Sequence, residues 1–457
     1  MNKELWEAIE KFDFDFPVSE YGFSTRLAYE NEWTEYFTKK AIEEYKKFMY
    51  LAATSNQMVS PSEIVDIVWH QHLIFTQSYT DFCALLGKKI QHIPSTHNKE
   101  EQDKFLTAKT HTTAVYESNF GKQPKLFWEY NSFKETLEIQ NSKHEVIFIL
   151  WLSVPFIILL VFLFRFLLYP VYLKIDNPYF IFGYILMGLS AFFGLNFYNK
   201  ITFLKVIQKT PNEVLNNLNP SELINMESHQ LKSVIHGYVN YLIVNKNLRV
   251  DTKDNILLIS REIEQDNPIY KVILDCFDNN GKLAYKDLLT ILLEKPVFAK
   301  TSKAVETIKD IYLKSKVFFN LYLLNLIILC TISAFGFTRA LLGLLRGKEI
   351  FFITLLSLIF VILGIVFMNK FADSMTRFII PNYYKLDIIP KNKSNYNSWE
   401  WNYFVIGTGL LSTSFLPVVE THSSANNSFF GCGTSCSSCG SSCGSSCGGG
   451  CGGCGGD

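Results

Sequence analysis

The stretch VIFILWLSVPFIILLVFLF, Val146–Phe164, decides the architecture of this chain. It carries no charge, and as a helix it extends about 28 Å, close to the ~30 Å hydrocarbon core of a bilayer. Three further runs read the same way: Pro178–Tyr198, Val317–Thr338 and Ile350–Met368. One such run could be a buried helix of a soluble protein. Four in one chain, each flanked by Lys or Arg, predict transmembrane helices. Trp151, Tyr169, Tyr172, Tyr179 and Tyr198 supply the aromatic girdle expected where helices leave lipid. Pro155 inside the first run is tolerable there, because neighbouring helices re-satisfy the freed backbone groups.

Working outward, the runs pair into two hairpins, 146–198 and 317–368, with connectors Arg165–Asn177 and Arg339–Glu349. Everything else then lies on one side of the bilayer. Lys and Arg are about equally dense in the connectors and in the opposite flanks, so charge bias does not choose the side. The N-terminal MNKELWEAIEKFDFDF has no apolar core or cleavage site, so the reading expects the non-membrane parts in the cytoplasm, N-terminus in. The 457 residues hold 43 basic and 43 acidic side chains, and that zero balance argues against a polyanion-coating protein. Charged residues make up only 19%, below the ~25% usual for soluble domains.

Residues 1–145 form the first soluble unit. YFTKKAIEEYKKFMYLAA, residues 36–53, reads as an amphipathic helix with Ala41, Tyr45, Phe48 and Leu51 on one face. Ser60-Pro61-Ser62-Glu63 then predicts a Ser60 cap with Pro61 at the first helical position. One long helix should follow and stop at Gly87, with Val65, Trp69, His72, Tyr79, Phe82 and Leu86 as its buried stripe. His70 and His72 cannot share one ion from that helix, since residues two apart point in nearly opposite directions. His72 is expected in the core. His70 has Asp66 one turn before it, and His92 follows the helix, with His97 and Glu101 beyond. A hydrogen-bonded structural cluster is the better reading of this spacing; Asp66, His70 and His92 are the candidate metal ligands or catalytic groups if the cluster has a chemical role.

The ordered segments LWEAIEKFDFDFP, FSTRLAYENEW, AIEEYKKFMYLAA, PSEIVDIVWHQHLIFTQSYTDFC, HIPST and FGKQPKLFW resemble bacterial relatives of the glycine-rich domain-containing protein family, over residues ~5–130. The resemblance implies a helical domain of unassigned activity built round the VDxVWHxH helix. It supplies no catalytic residue. Asp66, Trp69, His70, His72, Tyr79, Cys83 and His92 all fall within its motif. Thr96-His97-Asn98 stands where similar sequences carry a glycine pair.

Residues 199–316 read as helix, helix, two-stranded wing and a second helical pair from Pro268 to Glu294, a winged-helix-like order. No basic recognition face accompanies it, so no nucleic-acid partner is expected, and a protein-interaction role is. CFDNNGKLAYKD, residues 276–287, imitates a calcium loop, but Cys276 takes the position of the first carboxylate and Asp287 is short for bidentate reach. A tight turn explains the same letters.

Residues 369–430 form a juxtamembrane segment. Within it, Tyr403–Val419 is a semi-apolar run that reads as packed or interfacial rather than as a fifth span. The tail, 431–457, contains Cys432, Cys436, Cys439, Cys443, Cys447, Cys451 and Cys454 among Gly and Ser. That composition cannot build a core, so the tail is expected to be disordered. Its thiolates suit zinc or copper(I). Cys83, Cys276 and Cys330 should be buried. The layout of hairpin, winged-helix-like unit, hairpin and Gly/Cys tail resembles a bacterial membrane-protein family of unassigned function, over residues ~145–457.

The resulting expectation is a mainly α protein with four spans. Its partners are the lipid bilayer and, through the cytosolic units, other proteins. It reads as an interaction or scaffold protein displaying a Cys-rich tail. The rivals are metal handling or thiol exchange through that tail, and a metal-dependent enzyme using Asp66, His70 and His92.

Overall fold

A computed structural model describes residues 1–93, 99–209, 212–251, 255–260 and 267–423. The seven tail cysteines and His97 lie outside the described residues, as does the side chain of Glu101.

Four helices are long and apolar enough to cross a membrane: α7 (Val146–Leu167), α8 (Asn177–Lys209), α14 (Lys316–Leu345) and α15 (Phe351–Tyr383). α14 packs along α7 and α15, and α8 lies against both α14 and α15. Half of the apolar window of α14 is buried but only 6% of that of α7, so α14 is the centre and α7 the periphery. At Gly336 of α14 an added Cβ would stand 2.6 Å from the Tyr184 hydroxyl of α8, so only glycine admits this approach. Pro155 sits within α7 without ending it.

Both connectors lie at one end of the bundle. The Arg339 guanidinium, near the end of α14, donates to the carbonyls of Tyr172 and Ile175 and to Asn177 Oδ1 in the first connector. The non-membrane elements gather at the other end.

There, α1 (Lys3–Lys11), α2 (Phe23–Asn31), α3 (Glu35–Thr54), α4 (Glu63–Ile74), α5 (Thr76–Leu86) and α6 (Lys99–Phe120) form the N-terminal unit. Ala41, Tyr45, Phe48 and Leu51 of α3 are buried as expected, and Phe37 joins them. Two details differ from the sequence reading. The cap is Ser62, whose hydroxyl accepts the Val65 N–H at 3.2 Å, while the Ser60 N–H is taken by Thr112 Oγ1 at 2.8 Å. The single long helix is also two, broken at Phe75, where ψ is 66°. The break lets His72 Nε2 meet Ser78 Oγ at 3.1 Å while its Nδ1 meets the Tyr45 hydroxyl at 2.8 Å. His72 is fully buried with both ring nitrogens engaged, and burial lowers its pKa to about 3.

Between the spans lie α9 (Pro220–Ser228), α10 (Leu231–Val244), β1 (Leu248–Asp251), β2 (Ile256–Ile259), α11 (Pro268–Leu274), β3 (Lys282–Ala284), α12 (Tyr285–Glu294) and α13 (Pro296–Leu313). Asn219 and Glu222 close a capping box on α9. β1 and β2 pair antiparallel with Leu248 opposite Ile259. The sequence reading missed β3, which adds to β2 with Ile256 opposite Ala284. In the calcium look-alike, Asp278 Oδ1 accepts the N–H groups of Asn280 (3.0 Å) and Lys282 (2.8 Å), so the carboxylate closes a turn. Cys83 and Cys330 are buried, whereas Cys276 is half-buried.

Tyr403–Val419 does not form a long helix. It breaks into α16 (Trp399–Ile406), a 3₁₀ turn and the start of α17 (Leu416–Ser423), all packed on α10. Tyr403 lies on Gly237, where a Cβ would be 2.6 Å from the ring, and Asn240 bonds both Leu410 O and Ser412 N.

The N-terminal and middle elements dock. α13 packs on α2, and the Glu35 N–H donates to Glu222 Oε1 at 2.8 Å. Lys295 pairs with Glu20 at 2.7 Å, and the Thr307 hydroxyl donates to Glu32.

Candidate metal centre

Asp66 and His70 stand one turn apart on α4, and the chain after α5 brings in His92. Asp66 Oδ2 lies 3.2 Å from His70 Nδ1 and Oδ1 lies 2.9 Å from His92 Nε2. One ligand atom from each residue falls within 4.8 Å of the others. Among the described residues, no other three His, Cys, Asp or Glu side chains gather this way.

What delivers His92 is an aromatic relay that the sequence did not announce. Trp69 Nε1 donates to the Tyr79 hydroxyl at 3.1 Å, and that hydroxyl donates to the Ile90 carbonyl at 2.5 Å. Burial pushes the Tyr79 phenol up to about 12, so it stays a donor across the physiological range. Ile90 is thereby held two residues before His92. The His92 ring then sits edge-on against Trp69, 4.6 Å between centroids, and 4.4 Å from the His70 ring. Tyr79 was expected in the buried stripe, but nothing in its spacing shows the carbonyl it would bind.

Exposure grades across the cluster. The His92 side chain is 16% exposed, Asp66 28% and His70 56%, so the site has a walled side and an open one. Asp66, Trp69 and His92 line a cleft of about 630 Å³, with Glu63 at its edge. Tetrahedral zinc with bonds of ~2.0–2.1 Å needs donor atoms ~3.3 Å apart. The two Asp–His separations run to different carboxylate oxygens, so a single zinc would be held by both oxygens or would draw both rings toward one of them. One carboxylate and two imidazoles make a donor set that zinc accepts, with a fourth position open on the His70 side. Without a metal, Asp66 Oδ1 is hydrogen-bonded to His92 Nε2 while Oδ2 keeps a 3.2 Å contact with His70 Nδ1, so the carboxylate also ties the cluster together by itself.

Fold and site together define a helical domain with an Asp/His/His cleft, carried on four membrane-type helices. Residues 8–119, which include all three cluster residues, match the family described as UCP032817-like. Over 120 residues the chain is 27% identical to glycine-rich domain-containing protein 1 of Arabidopsis thaliana, a match covering 24% of this chain and 14% of that protein. It is 27% identical over 99 residues to glycine-rich domain-containing protein 2 of the same plant, covering 20% and 12%. The chain thus spans about an eighth of the length of these relatives. No solved structure matches it.

Proposed function

We propose that this is a multi-pass membrane protein whose N-terminal domain binds a divalent transition metal, zinc being the best fit, at Asp66, His70 and His92. The observation that carries this reading is the convergence of three donor atoms within 4.8 Å, with Asp66 and His92 lining a cleft. Trp69 and the Tyr79–Ile90 bond hold the His92 arm, as supporting groups do around metal ligands. The bilayer anchors the domain, with the N-terminus and all folded non-membrane parts on the cytoplasmic side. The resemblance of residues 145–457 to a bacterial membrane-protein family with Gly/Cys-rich tails belongs to the same reading.

A second role, as an interaction protein displaying Cys432–Cys454, is favoured by the packing of Tyr403–Val419 on α10. That packing starts the tail on the same side as the other non-membrane elements, where a reducing cytosol keeps thiols free for zinc or copper(I).

The test separates the two metal sites. The full chain with all seven tail cysteines replaced by Ser is purified and its metal measured by elemental analysis. One equivalent of zinc is expected, falling to background in D66N and in H92Q. Absence of metal after zinc loading, or full retention in both variants, overturns the assignment.

A further inference from the structure

A second cleft, of about 800 Å³, opens between α8 and α15 where the apolar runs end. Its lower part is apolar: Leu189 and Phe193 on α8 face Leu363 and Val366 on α15, and all four are exposed. Its upper part is basic. Lys200 and Lys370 are the first charged residues on their helices beyond the apolar runs, and Arg377 lies about 10 Å further along α15. Neither lysine makes a hydrogen bond or ion pair among the described residues, and both are exposed. Arg377 Nε donates to the Glu227 carbonyl at 2.8 Å. The one acid in the lining, Asp373, is engaged at 3.3 Å by Lys309 of α13. The lining is therefore cationic on balance.

Asn199 ties the inner wall of the cleft to α14. It is buried, its Nδ2 donates to Asn325 Oδ1 of α14 at 3.1 Å, and its own Oδ1 has no partner. Leu189 and Lys200 are about 16 Å apart along the α8 axis, which spans the upper part of an acyl chain and the phosphate above it. A site that is greasy below and cationic at phosphate depth matches one ligand class.

We infer that this cleft binds one anionic phospholipid, its chains against Leu189, Phe193, Leu363 and Val366 and its phosphate between Lys200 and Lys370. Basic pockets between membrane helices recognise anionic headgroups in this way. The inference rests on α8 and α15 being membrane helices, and not on the orientation of the protein or on the metal centre.

Native mass spectrometry of the full chain, from micelles holding equimolar phosphatidylglycerol and phosphatidylcholine, tests it. The wild type is expected to retain one phosphatidylglycerol with a preference of roughly thirty-fold, the contribution of two lysines at the surface. K200Q/K370Q should bind both lipids equally, and the same charge loss in the connectors, K174Q/K348Q, should leave the preference intact. Ser374 also lines the cleft, and S374W keeps the lysines but fills the space, so it should retain neither lipid. Equal retention of the two lipids by the wild type overturns the proposal, as does a preference that survives K200Q/K370Q. Lipid retained by S374W places the binding elsewhere and overturns it too. A lipid-free dimer would assign the cleft to a second copy of the chain.

Discussion

Glu222 is 2% exposed and sits where the N-terminal and middle elements dock. Its two oxygens accept the backbone N–H groups of Glu35 and Asn219, each at 2.8 Å. Burial nevertheless dominates and raises its pKa to about 7 from the ordinary 4.5. The folded protein therefore holds a proton that the unfolded chain has lost, and stability falls as pH rises from 4.5 to 7. At about 1.4 kcal/mol per pH unit, the loss across that window reaches about 3 kcal/mol. Neighbouring Glu35 acts in another range. Burial works to raise it, but Lys39, Lys300 and Asn219 together hold it below the usual carboxylate value. Its contribution is lost only as pH falls into the acid range, whereas His72, held neutral by burial, adds stability as pH rises toward 6.5, so only the difference between wild type and E222Q isolates Glu222. E222Q keeps the shape, cannot ionise and sets an amide NH₂ against one N–H donor, at a cost of about 1–3 kcal/mol at low pH. Thermal unfolding of the detergent-solubilised full chain, wild type minus E222Q at each pH, isolates the effect. The wild-type advantage should shrink by several degrees between pH 5 and 7.5 and stay flat above. An advantage that is constant or grows with pH refutes the reasoning.

Trp69 is buried against Phe48 and His92, so W69A should cost about 3–5 kcal/mol in denaturant unfolding; under 1 kcal/mol would mean the core closes without it. Y79F releases the Ile90 carbonyl and should weaken zinc binding by roughly tenfold or more in chelator competition, with helical content unchanged. R339A strips donors from Tyr172, Ile175 and Asn177 and should destabilise the bundle by about 1–3 kcal/mol in detergent, leaving metal content unaffected. Reporter fusions after Lys143, Ser260 and Asn395 should read cytoplasmic, and those at Asp176 and Gly347 external; an external signal at Ser260 inverts the topology.

The four apolar helices were legible because an uncharged run of about twenty residues is a length signal that needs no tertiary information. The α3 stripe and the start of α9 were legible for similar local reasons, periodicity in one and Asn219-Pro220 in the other. The first cap was misplaced because Ser60 and Ser62 flank the same proline, and only the competing Thr112 bond decides between them. The break at Phe75 has no Gly or Pro to mark it and follows from the partners of His72. Asp66 and His70 could be paired from helix spacing. The approach of His92 depends on Tyr79 gripping Ile90, a contact between α5 and the irregular segment after it. The meeting of Glu35 with Glu222 joins residues 187 positions apart and leaves no local trace.

The grip of Arg339 on the first connector has a consequence for how the protein is made. Both hairpins turn at one end of the bundle, where Arg339 of the second hairpin meets Ile175 and Asn177 of the first, and the N-terminal and middle units lie at the other. With the folded parts on the cytoplasmic side, as proposed above, no sizeable polar domain has to be passed through the bilayer during synthesis; only the two short connectors do. The first hairpin can insert as a closed pair before the middle elements exist. When the second arrives, Arg339 finds carbonyls already waiting, and its charge enters a prepared seat rather than bare lipid. Assembly is in that sense ordered by the chain itself, with the last long helices locking a partner that the first pair has put in place.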